Sequence, residues 1–204
     1  KNLLTRTMPG FGPSDRTDYN ALSLSSSRGA RNRDISIKAS VLQHFEDSGH
    51  DPSLRDVTYE SAQARERTQI LMDVANSCRG IVVGTGDMSE DALGWCTFGG
   101  DHLANYNVNV CLTKTMIRRM VTFLCSRFDD EVGSILRDIV DTPVSPELLP
   151  PDESGKIQQK TEDILGSYEL HDFFLYSLLR CSFPPRKPSY YACVPFSGQF
   201  SASY

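Results

Sequence analysis

The side chains best placed to do chemistry sit in a few short stretches. In GIVVGTGDMSEDALGWCTF (residues 80–98) an apolar run ends on Gly84-Thr85-Gly86-Asp87 and then turns acidic. Glycines let backbone approach a ligand closely, and the free amides that open the following helix attract an anion. Glu90, one turn further on, offers the hard oxygen that Mg²⁺ prefers. The same spacing suits a purely local role equally well, with Asp87 as helix N-cap and Glu90 as its capping-box partner. Met8-Pro9-Gly10 marks a second strand end of similar character. Arg65 and Arg67, in ARERT, either decorate a solvated helix face or reach the carboxyl edge of a sheet, where a guanidinium fork fits a phosphate. Lys114 opens a helix, where a cation opposes the macrodipole, a mismatch that favours a ligand over a structural role.

Other constellations are weaker. His102, Cys96 and Cys111 follow no zinc-ligand spacing and read as core thiols and a structural histidine. No G-x-S-x-G elbow is present, and no serine or cysteine is recognisably paired with a histidine. Phe173, Phe174 and Tyr176 read as core aromatics.

The elements that must position these residues follow from periodicity and turn chemistry. Leu3 and Leu4 begin a strand that stops at Met8-Pro9-Gly10. Ser14 or Asp15 can cap a helix running to about Arg28, and Asp34–Lys38 (DISIK) alternates as a half-buried strand. Val41, Leu42 and Phe45 suit a short helix ended by Gly49 and Pro52. Thr58–Cys78 carries Ala64, Thr68, Leu71 and Ala75 at helical spacing, with Gly80 as its stop. Residues 81–83 (IVV) read as a continuous apolar strand inside a parallel sheet. Met116, Ile117, Met120, Val121 and Leu124 form one helical stripe, and Ile135, Ile139 and Val140 another. Residues 142–156 form a proline-rich loop, and Tyr168–Cys181 an aromatic amphipathic helix. Strands alternating with helices define an α/β fold with a parallel sheet.

Length and composition agree with one globular domain: 204 residues, 39% hydrophobic and 23% charged. The net charge of -5 argues against a broad basic nucleic-acid face. No apolar run reaches the ~20 residues needed to span a bilayer. Six scattered cysteines without a C-x-x-C pair point to a reduced, cytoplasmic protein. The chain begins at Lys1 without a signal-like segment and reads as a piece of a longer protein.

Several stretches together resemble the synthetase domain of NAD⁺ synthetases: YESAQARERTQILMDVAN, GIVVGTGDMSEDALGWCTFGGDHLANYNVN, the lysine of LTKT, DTPVSPELLPP and YELHDFFLY. With TMPGFGPSDRT, the wording is nearer the long glutamine-dependent enzymes than the short ammonia-dependent ones. The resemblance implies a Rossmann-like parallel sheet flanked by helices, of the ATP-pyrophosphatase (adenine-nucleotide alpha-hydrolase) type. It also implies a reaction in which ATP adenylates the nicotinate carboxylate of deamido-NAD⁺, pyrophosphate leaves, and ammonia displaces AMP. In the long enzymes a nitrilase-like domain earlier in the chain makes that ammonia from glutamine, and synthetase domains pair as homodimers.

By motif position, the resemblance makes Thr85, Lys114 and Ser145 contacts of ATP and Glu90 a Mg²⁺ ligand near deamido-NAD⁺. It places Ser61, Arg65, Glu90, Trp95, Cys96, Thr97, Phe98, Asp101 and Asn105 at the deamido-NAD⁺ site. Ser61 falls where the long enzymes often have asparagine. The departures are as informative. The S-G-G-x-D-S pyrophosphate loop, the glutaminase domain and the C-terminal lysine segment that closes over deamido-NAD⁺ are absent from these residues. The expected division is a partial synthetase domain over residues 1–185 and a divergent tail over 186–204, with no catalytic residue of its own and no turnover in isolation. A missing strand implies an unfilled sheet position, hence marginal stability or self-association. A non-catalytic dimerisation or regulatory remnant is the rival reading. Another ATP-pyrophosphatase such as a GMP synthetase is a third, opposed by the GDHLANYNVN and DTPVSPELLPP wording.

Overall fold

Short strands alternating with helices form two separate pairs of parallel strands. The computed structural model describes residues 3–12, 15–150 and 160–197. Strand β1 (Leu4–Thr7) pairs in parallel with β2 (Arg31–Asp34), Leu4 opposite Arg31 and Thr7 opposite Asp34, and helix α1 (Asp15–Ser27) connects them. Asn32 ties the pair together: its Oδ1 accepts from Thr5 Oγ1 at 3.0 Å and its Nδ2 donates to Thr7 Oγ1 at 2.9 Å. Strand β3 (Val83–Gly84) pairs in parallel with β4 (Tyr106–Asn107). Among the described residues the two pairs are distinct two-stranded sheets.

The remaining helices are α2 (Lys38–Ser48), α3 (Val57–Cys78), α4 (Met88–Leu93), α5 (Lys114–Cys125), α6 (Asp130–Asp141), α7 (Thr161–Leu165), α8 (Tyr168–Leu179) and α9 (Arg186–Ala192). Parallel strands joined by helices give the α/β class expected from the sequence. One core forms where α2 meets α3, from Ile37, Val41, Phe45, Tyr59 and Ala62, with Met8, Phe11, Ile70 and Leu149 packed against it. Full burial of side chains such as Phe45 contributes roughly 1.5–3 kcal/mol each. A second, smaller cluster joins Cys125, Val132 and Leu136 to Leu24 and Val121.

Several elements differ in detail from their sequence signals. The ladder of DISIK starts earlier, at Arg31. Past Asp34 the chain still follows β1, since Ile35 N donates to Thr7 O and Ile37 N to Pro9 O, but Ile37 already serves as N-cap of α2. Helix α3 ends on Arg79, left-handed at φ 54°, one residue before the glycine expected to stop it. The IVV run is not covered on both faces: Val82 is buried, while Ile81 and Val83 are 65% and 53% exposed. Alternate side chains point to opposite faces, and here only the face bearing Val82 is covered. Tyr176 is also exposed rather than core, because α8 packs through Tyr168, Leu170, Asp172 and Ser177. Ser14, one of the two candidate caps of α1, and part of the proline-rich loop lie outside the described residues.

Helix α1 is clamped to α6 by a forked contact. Arg16 donates from Nη2 to Asp138 Oδ1 at 2.6 Å and from Nε to Oδ2 at 2.9 Å, and Asn20 Nδ2 adds a bond to Oδ2 at 2.6 Å. The Arg16 guanidinium, aided by Asn20, holds the Asp138 carboxyl down at about 2. A carboxyl depressed in the folded state contributes stability above its ordinary range and loses it as pH falls through the folded value. Wild type should therefore lose an advantage over Asp138→Asn as pH falls from about 5 toward about 2. Urea denaturation of both proteins across that range checks this; parallel stability–pH curves would exclude the clamp.

Candidate functional site

The capping reading of GTGDMSED is realised in full. Asp87 is the N-cap of α4: its Oδ1 accepts from Ser89 N and Glu90 N, each at 3.0 Å, and Glu90 Oε2 accepts from Asp87 N at 3.2 Å. The box also leaves one oxygen of each carboxylate pointing outward, and both meet the same cation. Lys114 Nζ, from the first turn of α5, lies 2.7 Å from Asp87 Oδ2 and 2.6 Å from Glu90 Oε1. Side-chain exposures of 2% for Asp87, 16% for Lys114 and 24% for Glu90 place the triad partly inside, with Asp87 its buried member. Burial pushes the Glu90 carboxyl upward, against the pull of Lys114. Burial also opposes the charge on Lys114, but the two carboxylates outweigh it and raise its pKa. The lysine that looked misplaced at a helix start is explained by two acids on the neighbouring helix.

Beside the triad opens a cavity of about 460 Å³. Its wall brings together Ser61 and Arg65 from α3, Glu90 from α4, the following Trp95, Cys96, Thr97, Phe98 and Asp101, and Ser145 from the proline-rich loop. These are the sequence-derived site residues apart from Thr85, Asn105 and Lys114. The Trp95–Asp101 segment is held by its own backbone: Asp101 Oδ1 accepts from Thr97 N at 2.7 Å, and Arg65 Nε donates to Phe98 O at 2.9 Å. Phe98 stands 86% exposed, an apolar ring presented to solvent. Cys96 is half-buried, and burial together with the acids around it raises its thiol pKa, so it is a poor nucleophile here.

Thr85 sits exposed just past the end of β3, where its carbonyl accepts from Asn109 Nδ2. Asn105 is stitched into the strand pair, its Oδ1 accepting from Val82 N at 2.8 Å. His102 bonds through Nδ1 to Thr97 O at 2.8 Å, a structural contact. Among the described residues no cluster of three or more His, Cys, Asp or Glu is arranged for a metal.

The cavity's far wall depends on Gln63, which is fully buried. Its Oε1 accepts from Phe11 N at 3.0 Å, and its Nε2 donates to Leu148 O at 2.9 Å and to Tyr59 O at 3.2 Å. One side chain thus joins the Met8–Gly12 turn to the loop that supplies Ser145, Pro146 and Leu148. Gly12 is required by close approach, because a Cβ there would strike the backbone of Glu147 and Leu149. Of the two arginines in ARERT, Arg67 turns inward, donating from Nε to Met8 O at 3.1 Å, and burial pulls its pKa down. Sequence reasoning missed Gln63, together with Glu60, Val144, Pro146, Leu148 and Thr161 of the cavity wall. It also missed Asp172, a buried carboxylate on α8. The available signal was a polar residue at a buried position of an otherwise apolar helix face.

Solved structures with this α/β arrangement include the NMN synthetase of Francisella tularensis, at TM-score 0.66 and 24% identity over 83% of this chain and 64% of that one. The glutamine-dependent NAD⁺ synthetase of Acinetobacter baumannii, solved with ADP, matches at TM-score 0.59 and 20% identity over 98% and 32%. They define the class of fold as that of the ATP pyrophosphatases. A model of the NAD synthase family matches residues 1–183, and the chain belongs to that family. It is 39% identical over 194 residues to the glutamine-dependent NAD(+) synthetase of Mycobacterium leprae, covering 91% of this chain and 28% of the relative. The corresponding Mycobacterium tuberculosis protein is 37% identical over 198 residues, covering 94% and 29%. The chain thus spans less than a third of the length of these curated relatives.

Proposed function

We propose that this chain carries the deamido-NAD⁺ side of an NAD⁺ synthetase active site. The enzyme it belongs to would amidate deamido-NAD⁺ through an adenylated nicotinate, with ammonia drawn from glutamine. The observation that carries this reading is the convergence of Ser61, Arg65, Glu90, Trp95–Phe98, Asp101 and Ser145 on one cavity. A flat ring suits Trp95 and Phe98, which supply apolar faces. Arg65, on the cavity wall, supplies a cation for phosphate oxygens, and Lys114 would join it by exchanging a carboxylate partner for phosphate. Ser145 Oγ already accepts from Glu147 N at 3.1 Å, leaving its O–H to donate. Preorganised cations of this kind neutralise charge that develops at phosphorus.

Glu90 lines the cavity and offers hard oxygen, but Oε1 already meets Lys114 Nζ and Oε2 the Asp87 amide, so a Mg²⁺ held there would replace or share the lysine contact. Mg²⁺ usually takes one or two carboxylates and completes its shell with water and phosphate. When bound it would neutralise phosphate charge. Six free cysteines, four of them exposed, agree with a reducing, cytoplasmic setting.

Isothermal calorimetry and a turnover assay with ATP, Mg²⁺, deamido-NAD⁺ and ammonia test this reading. The 204-residue chain should bind deamido-NAD⁺ yet form no NAD⁺, because S-G-G-x-D-S is absent from it. Trp95→Ala should weaken binding by about tenfold or more. Absence of deamido-NAD⁺ binding overturns the site, and robust NAD⁺ formation overturns the expected inactivity.

A second reading, a dimerising remnant, is favoured by the outer face of α5, where Met116, Met120 and Phe123 are 47%, 49% and 57% exposed. Tight self-association in sedimentation without any ligand binding would select it.

A further inference from the structure

The Lys114–Glu90 pair has a support that none of the recognised motif roles includes. Asp172, 5% exposed on α8, accepts from Ser89 Oγ through Oδ1. Its Oδ2 accepts from Thr115 N at 2.8 Å and Thr115 Oγ1 at 2.6 Å. Ser89 Oγ in turn accepts from Lys114 N at 2.9 Å. Ser89 directly precedes Glu90 and Thr115 directly follows Lys114, so one carboxylate fixes the backbone on which each member of the pair is mounted. Ser89 is fully buried and Thr115 half-buried, so water is poorly placed to replace these bonds. A fully satisfied buried network of this kind specifies one geometry.

We propose that Asp172 is a positioning residue, holding the starts of α4 and α5 in the register that places Lys114 Nζ between Asp87 and Glu90 beside the cavity. This rests on the proposed nucleotide site for its functional meaning, though not for its geometry. Asp172 does not line the cavity and acts through Ser89 and Thr115. Its charge matters as well as its shape: three donors converge on it, and an amide can accept through one atom only.

The test uses the full chain labelled with ¹⁵N-lysine. An ammonium clamped by two carboxylates is shielded from solvent exchange and should give a side-chain ¹H–¹⁵N cross-peak at neutral pH, assigned by its disappearance in Lys114→Arg. Asp172→Asn, which preserves volume, should abolish that peak and weaken deamido-NAD⁺ or ATP binding by about tenfold. If Asp172→Asn unfolds the chain, Thr115→Val serves instead. It removes one hydroxyl bond, should stay folded by circular dichroism, and should broaden or shift the peak. A variant that lowers the melting temperature but keeps the wild-type cross-peak assigns Asp172 a merely structural role and overturns the proposal. Loss of the peak in a protein whose wild type binds no nucleotide upholds the positioning and removes the functional reading instead.

Discussion

Lys114→Met is expected to destabilise the chain by roughly 3 kcal/mol near neutral pH, because it leaves the buried Asp87 and the half-buried Glu90 without their cation. Asp87 is 1% exposed and already committed to capping α4, so it has no route to solvent. Glu90 does have a remedy, since burial has already raised its pKa and loss of the ammonium raises it further. A carboxyl whose folded value lies above its ordinary one gives stability at low pH that is lost as pH rises through the folded value. The damage in Lys114→Met should therefore be smaller at mildly acidic pH, toward which the raised Glu90 carboxyl takes up a proton more readily, than at mildly alkaline pH. In wild type the raised Lys114 contributes stability throughout this range and gives it up only above the ordinary lysine value. Urea denaturation at both pH values decides the matter. An equal loss at each would mean that the triad is solvated and not an electrostatic unit.

Gln63→Ala should cost a comparable amount, about 2–5 kcal/mol, by a different mechanism. The truncation orphans Phe11 N and Leu148 O in the interior and opens a void beside Tyr59. It should also weaken ligand binding, since Leu148 and Pro146 form one wall of the cavity. Gln63→Glu is the informative companion: it keeps the acceptor for Phe11 N but loses the donor to Leu148 O and buries an acid. Denaturation with parallel calorimetry reads both effects. A loss below about 1 kcal/mol for Gln63→Ala would show that water takes over the stitch.

These two residues mark where the sequence was legible and where it was not. The Gly-Thr-Gly-Asp strand end, the capping box and the positions of α3 and α5 followed from spacing, because they rest on contacts only a few residues apart. The odd lysine at the start of α5 was recognisable as a misfit, but its two carboxylate partners were not, since Lys114 and Glu90 are 24 residues apart. Gln63 carried no signal of its own inside α3 because its partners lie 52 and 85 residues away. Asp172 was hidden in the same way, 83 residues from Ser89. The apolar run at Ile81–Val83 misled for a related reason: hydrophobicity reports a preference for burial, and what would cover the strand is not in its own letters. The wall of the cavity became visible only through motif wording, which joins distant segments that periodicity cannot.

The two separate strand pairs bear on the order in which this molecule acquires its structure. Leu4 meets Arg31 within β1–β2, and Val83 meets Tyr106 within β3–β4, so each pair closes a loop of about two dozen residues. The bond between Gln63 and Leu148 must close one of 85 residues. Each doubling of loop length adds only about 0.6 kcal/mol, but distant contacts must wait until enough chain is ordered to reward them. The two leaves should therefore form early and independently, and the wall carrying Ser145 should dock last. The cavity is then the youngest part of the fold on every refolding, and the first to be lost when the chain begins to open.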